Sequence, residues 1–203
     1  MPTSLYVRAN DIDIHFLREG RGPPLVLLHG WPEFCGVWEP VISALRDRFE
    51  VFAPDLRGFG DTTKPYPGPT EAMTSQVLAD DLSAFLDTLD VNHPVGLVSH
   101  DVGAIVAQVF ARRHPARLSG LFFFNCPHSG IGSRWISPNH VPEVWYQTFN
   151  CLPWSAAMVH PHRASSLDDV VTPLGLHSLV PDRMVQSVER AFQVAPAVAF
   201  RLG

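Results

Sequence analysis

The six residues Ser99-His100-Asp101-Val102-Gly103-Ala104 set the reading of the whole chain. An apolar strand candidate, Val95 to Val98, precedes them, and a helical pattern from Val102 to Arg113 follows. Strand, sharp turn and helix in that order form the elbow that lifts a nucleophile above a sheet. So tight a turn demands small residues two before and two after the nucleophile. With Asp101 at the centre those residues are Ser99 and Gly103. With Ser99 at the centre they are Leu97 and Asp101, and Leu97 is too bulky. The pattern therefore selects a carboxylate over a hydroxyl. A carboxylate at a helix N-terminus is kept ionised by the helix dipole, and it can attack carbon to form an ester. An aspartate that only caps its helix fits the same residues.

Working outward, Leu25 to Leu28 is a short, wholly apolar run, as expected of a strand buried on both faces of a parallel sheet. Glu50 to Ala53 and Leu118 to Phe124 read as further strands, and Val37 to Leu45 as a helix. Val77, Leu78, Asp81, Leu82, Phe85, Leu86 and Leu89 mark one helical face. Two alternating segments, Leu5 to Arg8 and Ile12 to Leu17, form an antiparallel edge. Repeated strand–helix alternation predicts an α/β fold, a mostly parallel sheet with helices on both faces.

Two more motifs follow strands. His29-Gly30-Trp31-Pro32 comes directly after Leu28. In a fold built on such an elbow, the loop after the third strand supplies one backbone N–H of an oxyanion hole, and the residue after the nucleophile, Val102, supplies the other. Trp31 and Val102 are thus the oxyanion candidates, positioned by His29, Gly30 and Pro32. Asp55-Leu56-Arg57-Gly58-Phe59-Gly60-Asp61 follows the strand Glu50 to Ala53 and reads as a scaffolding loop.

The chain has 203 residues, 46% hydrophobic and 17% charged, with a formal net charge of -5. This balance argues against a nucleic-acid partner, which would want a basic face. No apolar run approaches the ~20 residues that span a bilayer, and no signal-peptide pattern opens the chain. Three cysteines in no regular spacing point to reduced thiols and a cytoplasmic setting. From Ser133 the texture changes to Trp- and Pro-rich sequence without strand pattern. The expected division is residues 1–132 as the α/β core and 133–203 as a helical insertion segment with an atypical tail.

The three motifs together resemble the α/β-hydrolase superfamily and, more narrowly, the epoxide hydrolases. The resemblance runs from about the first strand to about Pro153. It implies a small hydrophobic epoxide as substrate, an ester on Asp101, a vicinal diol as product, and no metal or organic cofactor. It further implies a helical cap whose tyrosines hold the epoxide oxygen. Trp145-Tyr146-Gln147-Thr148-Phe149 is similar to the segment carrying the first of them, so Tyr146 is the candidate acid.

The sequence also departs from that family. Its triad runs nucleophile, acid, histidine, with the last two after the seventh and eighth strands, and neither strand is found here. Asn125-Cys126-Pro127-His128 occupies the alternative acid position, and no tyrosine follows Tyr146. His177 is nearest in style to the missing base. The expectation is a chain without the family's C-terminal strands: a fragment, a truncated product, or a tail diverged or read in another frame. Poor turnover would follow. A haloalkane or haloacid dehalogenase shares the first ester step, but Val102 cannot grip a halide as the Trp or Arg of many dehalogenases does. A serine esterase using Ser99 and a non-catalytic remnant are the other readings.

Overall fold

The computed structural model describes residues 1–31, 33–64, 73–128 and 131–132. The chain divides into two compact units, Met1–Ser129 and Gly130–Gly203. Nearly all of the second, including the expected cap segment and tail, lies outside the described residues.

Six strands form one sheet in the order β1-β2-β4-β3-β5-β6. β1 (Thr3–Ala9) and β2 (Ile12–Gly20) make an antiparallel hairpin. Its turn residues Asn10 and Asp11 both have positive φ, 47° and 62°, the backbone twist that a two-residue hairpin requires. β2 pairs antiparallel with β4 (Glu50–Pro54). From there the sheet is parallel: β4 with β3 (Pro24–Leu28), β3 with β5 (Val95–His100), and β5 with β6 (Leu118–Phe124). The expected parallel sheet with an antiparallel edge is what forms.

β3 shows why its sequence is apolar throughout. Val26 and Leu28 join one core with α2 (Ser75–Thr88) and α3 (Asp101–Arg113), while Leu25 and Leu27 join another with Trp38 and Ile42. Both faces of the sheet are therefore covered. In the first core Phe85 meets Phe16 edge-to-face at 5.0 Å, a geometry that contributes about 0.5–1.5 kcal/mol beyond burial itself.

α2 is capped by Thr74, whose hydroxyl accepts from the Val77 amide at 3.3 Å. Its buried face is the middle of the predicted stripe, Leu78, Asp81, Leu82, Phe85 and Leu86, with Ala79 added, while Val77 and Leu89 are half-buried; Asp81 belongs to it because it is paired. Arg57 Nε donates to Asp81 Oδ2 at 2.7 Å and Nη2 to Oδ1 at 2.5 Å, and Asn10 donates to Oδ1 at 2.6 Å.

Strands β1 to β4 each run one to three residues beyond the expected bounds, and three further boundaries differ. The helix expected over Val37 to Leu45 is split: Cys35–Trp38 is a 3-10 turn and α1 is Glu39–Leu45, with Pro40 in its first turn, where a missing N–H costs nothing. β5 continues two residues past Val98, to His100, and α3 begins at Asp101 rather than Val102. The turn between them is tighter than the sequence suggested.

Candidate active site

β3 and β5 are parallel neighbours, and Leu28 stands in register with Ser99. The residues that follow this pair, His29-Gly30-Trp31 and His100-Asp101, therefore emerge side by side. Asp101 takes φ +49°, in the left-handed region that costs a non-glycine residue about 1–3 kcal/mol. The strain turns its side chain across to the neighbouring loop. The Trp31 amide donates to Asp101 Oδ1 at 2.9 Å. His100, not Asp101, occupies the helix N-cap position, and its side chain makes no cap hydrogen bond.

Two glycines permit the approach. A Cβ on Gly30 would lie 2.6 Å from Asp101 Cβ and 3.0 Å from its Oδ1. A Cβ on Gly103 would lie 2.5 Å from the His29 carbonyl oxygen and 2.7 Å from that of Leu28. Gly103 thus lets α3 settle directly on the end of β3. Val102 is half-buried and packs against the first core. Its side chain is committed to packing, and its amide sits in the first helical turn, where no intrahelical acceptor exists.

His29 is engaged by the loop after β4, with its ring edge-on to Phe59 at 5.3 Å. It is fully buried, and its Nε2 accepts from the Leu56 amide at 3.0 Å. The Nδ1 must then carry the proton, which it donates to the Gly30 carbonyl at 2.8 Å. Burial pushes its pKa below the usual histidine value, outweighing the Gly30 hydrogen bond and the Asp55 and Glu33 charges that would raise it. The residue is a neutral bracket joining two loops.

Glu33 and His100 were not singled out from sequence. His100 Nε2 lies 3.0 Å from Glu33 Oε2, and Glu33 also accepts from the Gly30 amide at 3.3 Å. The His100 ring stacks on Phe124 at 5.2 Å and meets Trp38 edge-on at 5.4 Å. Burial raises the Glu33 carboxyl, but the His100 hydrogen bond and charge, with the Gly30 amide, overcome it and bring the pKa below the ordinary range. The signal for this pair was their adjacency to the two loop motifs, Glu33 after Pro32 and His100 before Asp101.

Asp55 is a scaffold hub, as its loop suggested. Its carboxylate accepts from the amides of Cys35 (2.6 Å) and Asp61 (2.8 Å) and bonds His15 Nδ1 (2.7 Å). Burial raises its pKa, but these bonds dominate and hold it low. Ser99 is fully buried in the sheet between Leu28 and Phe123, so its hydroxyl is not presented as a nucleophile. After β6, Asn125 has φ +51°, and Gln108 of α3 donates to the Pro127 carbonyl at 3.1 Å. Burial, with the Asp101 charge added, pushes the Cys126 thiol up to about 11. Pro32, Tyr146 and His177 lie outside the described residues. Among the described residues, no helix is long and apolar enough to cross a membrane. One buried group of metal-ligand types occurs among them, His15, Cys35 and Asp55.

The "Soluble epoxide hydrolase" of Corynebacterium sp. (strain C12) is 39% identical over 116 residues, covering 57% of this chain and 39% of the relative. The "Cis-3-alkyl-4-alkyloxetan-2-one decarboxylase" of Shewanella oneidensis is 33% identical over 120 residues, 59% of this chain and 37% of the relative. Among solved structures, the epoxide hydrolase CorEH without ligand aligns with a TM-score of 0.68 at 28% identity, covering 79% of this chain and 56% of that one. The chain thus spans roughly two fifths of the length of these two curated relatives. The alpha/beta hydrolase fold family matches residues 23–151. A carboxylate raised on a left-handed elbow, facing the amide of the loop after β3, sits inside that span, and the chain belongs to the alpha/beta hydrolase fold family.

Proposed function

We propose that Asp101 opens an epoxide by attack on a ring carbon. One carboxylate oxygen forms the new C–O bond, the ring C–O bond breaks, and the released alkoxide takes a proton from an acid, the role assigned to Tyr146. The ester's carbonyl oxygen then takes the Trp31 amide that Oδ1 accepts in the free protein. When water adds to the ester carbon, charge develops on that oxygen, and a fixed donor there is worth about 2.7–4 kcal/mol. Collapse returns the carboxylate and releases a vicinal diol. The second step needs a base to activate water; no residue is assigned to that role.

The observation that carries this reading is the Trp31 N–H to Asp101 Oδ1 contact at 2.9 Å from a residue with φ +49°. A carboxylate serving only as a helix cap would bond its own first-turn amides. The relative named for an oxetan-2-one adds a second strained ring with an electrophilic carbon, favouring a cis-dialkyl-oxetanone as the alternative substrate.

The test is intact-mass analysis of the full 203-residue chain after incubation with styrene oxide and, separately, with a dialkyl-oxetanone. The expected result is an adduct of one styrene oxide mapping to Asp101, absent in Asp101→Asn. An adduct or product only with the oxetanone moves the assignment to that substrate. No adduct and no product with either makes the chain a non-catalytic member of its family.

A further inference from the structure

Away from Asp101, three buried side chains from separate elements aim ligand atoms at one point. His15 belongs to β2, Cys35 opens the 3-10 turn, and Asp55 follows β4; they are 6%, 1% and 2% exposed. His15 Nδ1 lies 2.7 Å from Asp55 Oδ2 and 3.6 Å from Cys35 Sγ, and all three ligand atoms fall within 4.8 Å of one another. The arrangement is not a thiol–imidazole–carboxylate relay. In a relay the thiol and the acid use different ring nitrogens, whereas here both face Nδ1. Nε2 is occupied instead by Ser4 Oγ at 2.8 Å.

We propose that His15, Cys35 and Asp55 form a binding site for a thiophilic divalent cation of the Zn2+ type. Zinc bonds of about 2.3 Å to sulfur and about 2.0–2.1 Å to nitrogen, at a tetrahedral angle, place S and N roughly 3.5 Å apart. The Sγ to Nδ1 distance is already 3.6 Å. The Nδ1 to Oδ2 distance of 2.7 Å is a hydrogen bond, and it must widen to roughly 3.4 Å when the metal replaces the shared proton. The ring proton then moves from Nδ1 to Nε2, where Ser4 Oγ accepts it. That is the outer-sphere bond which fixes a metal-bound histidine's tautomer. The thiol proton leaves to solvent. Thiolate and carboxylate together cancel the ion's two charges, so no net charge is buried.

The site lies one layer beneath the surface. Ser4 and the exposed Tyr6 cover His15 from β1, with the Tyr6 ring 5.0 Å from the imidazole. On the other side Gly60, at φ +46°, rests on the Asp55 carboxylate so closely that a Cβ there would be 2.0 Å from Oδ2. Occupancy would tie β2, β4 and the loop carrying Trp31 to a single ion, independently of whether Asp101 opens epoxides.

The experiment titrates the reduced full chain with Co2+ and follows thiolate-to-cobalt charge-transfer absorption, with Zn2+ as competitor. The expected result is a band that Zn2+ abolishes, that Cys35→Ser removes, and that Cys126→Ser and Cys151→Ser retain. X-ray absorption of the zinc-loaded wild-type chain needs no variant, and the expected result is one sulfur near ~2.3 Å with nitrogen and oxygen completing the shell. Absence of the band, its persistence in Cys35→Ser, or a shell of nitrogen and oxygen alone overturns the proposal.

Discussion

Gly103→Ala sets two opposed effects against each other at the base of the elbow. Helix propensity favours alanine, since replacing a helical glycine gains at most about 1 kcal/mol. Packing opposes it. The new Cβ would stand 2.5 Å from the His29 carbonyl oxygen, 2.7 Å from that of Leu28 and 2.9 Å from the Leu28 carbonyl carbon, where ordinary contact begins at 3.4 Å. Relief requires moving α3 and β3 about 0.9 Å apart, the difference between 3.4 and 2.5 Å. All three atoms are backbone, and β3 is held on both sides by β4 and β5, so no rotamer change absorbs the overlap. Overpacking costs about 1–3 kcal/mol, and immovable neighbours put this site at the upper end. The net is a destabilisation of roughly 2 kcal/mol, about a thirtyfold fall in the folded-to-unfolded ratio. Urea unfolding of both proteins, with the slope unchanged, measures it. Gly36→Ala is the internal control: the three atoms nearest its Cβ all belong to the Phe34 ring, a side chain 53% exposed that can shift where backbone cannot. Equal or greater stability of Gly103→Ala would refute the claim that backbone contact, rather than propensity, dictates this glycine.

Removing Asp81 with Asp81→Ala takes two hydrogen bonds from the Arg57 guanidinium, whose side chain is only 11% exposed, and leaves it the Asn10 carbonyl at 3.3 Å; it should cost about 3 kcal/mol in the same urea assay, the lower end for a broken buried pair. Arg57→Met with Asp81→Leu should lose far less, and a double variant as unstable as the single would contradict the pairing argument. His29 provides the pH dependence. Its folded pKa lies below the ordinary 6.5, so the unfolded chain binds the extra proton first. The stabilisation is therefore complete above pH 6.5 and is lost as pH falls from there toward the folded value. His29→Gln keeps an acceptor for the Leu56 amide and should flatten the stability-against-pH curve below 6.5 relative to wild type. Parallel curves for the two proteins would contradict the buried neutral assignment.

What was legible in the sequence was whatever a short window encodes. Four consecutive apolar residues at Leu25 to Leu28 announced a strand covered on both sides, and two cores do cover it. The demand for a small residue at position 103 was also readable, although its physical origin was not. The missing Cβ faces the backbone of β3, more than seventy residues earlier in the chain. The insertion of β4 between β2 and β3 carries no local signature, because strand order depends on how crossovers pack rather than on composition. The same limit hid the polar network. Glu33 and His100 meet only because β3 and β5 are neighbours in the sheet. His15, Cys35 and Asp55 come from three elements, and nothing in their separate surroundings marks them as a group. These networks share one loop. Cys35 hangs from Asp55, Gly30 from Glu33, and Trp31 between them binds Asp101. The loop whose amide faces the carboxylate is therefore tied down by two acids, Glu33 and Asp55, that sequence spacing alone assigns to no site. A perturbation at Glu33 should reach Asp101 through the backbone of Gly30 and Trp31, whose amides bond Glu33 and Asp101 in turn.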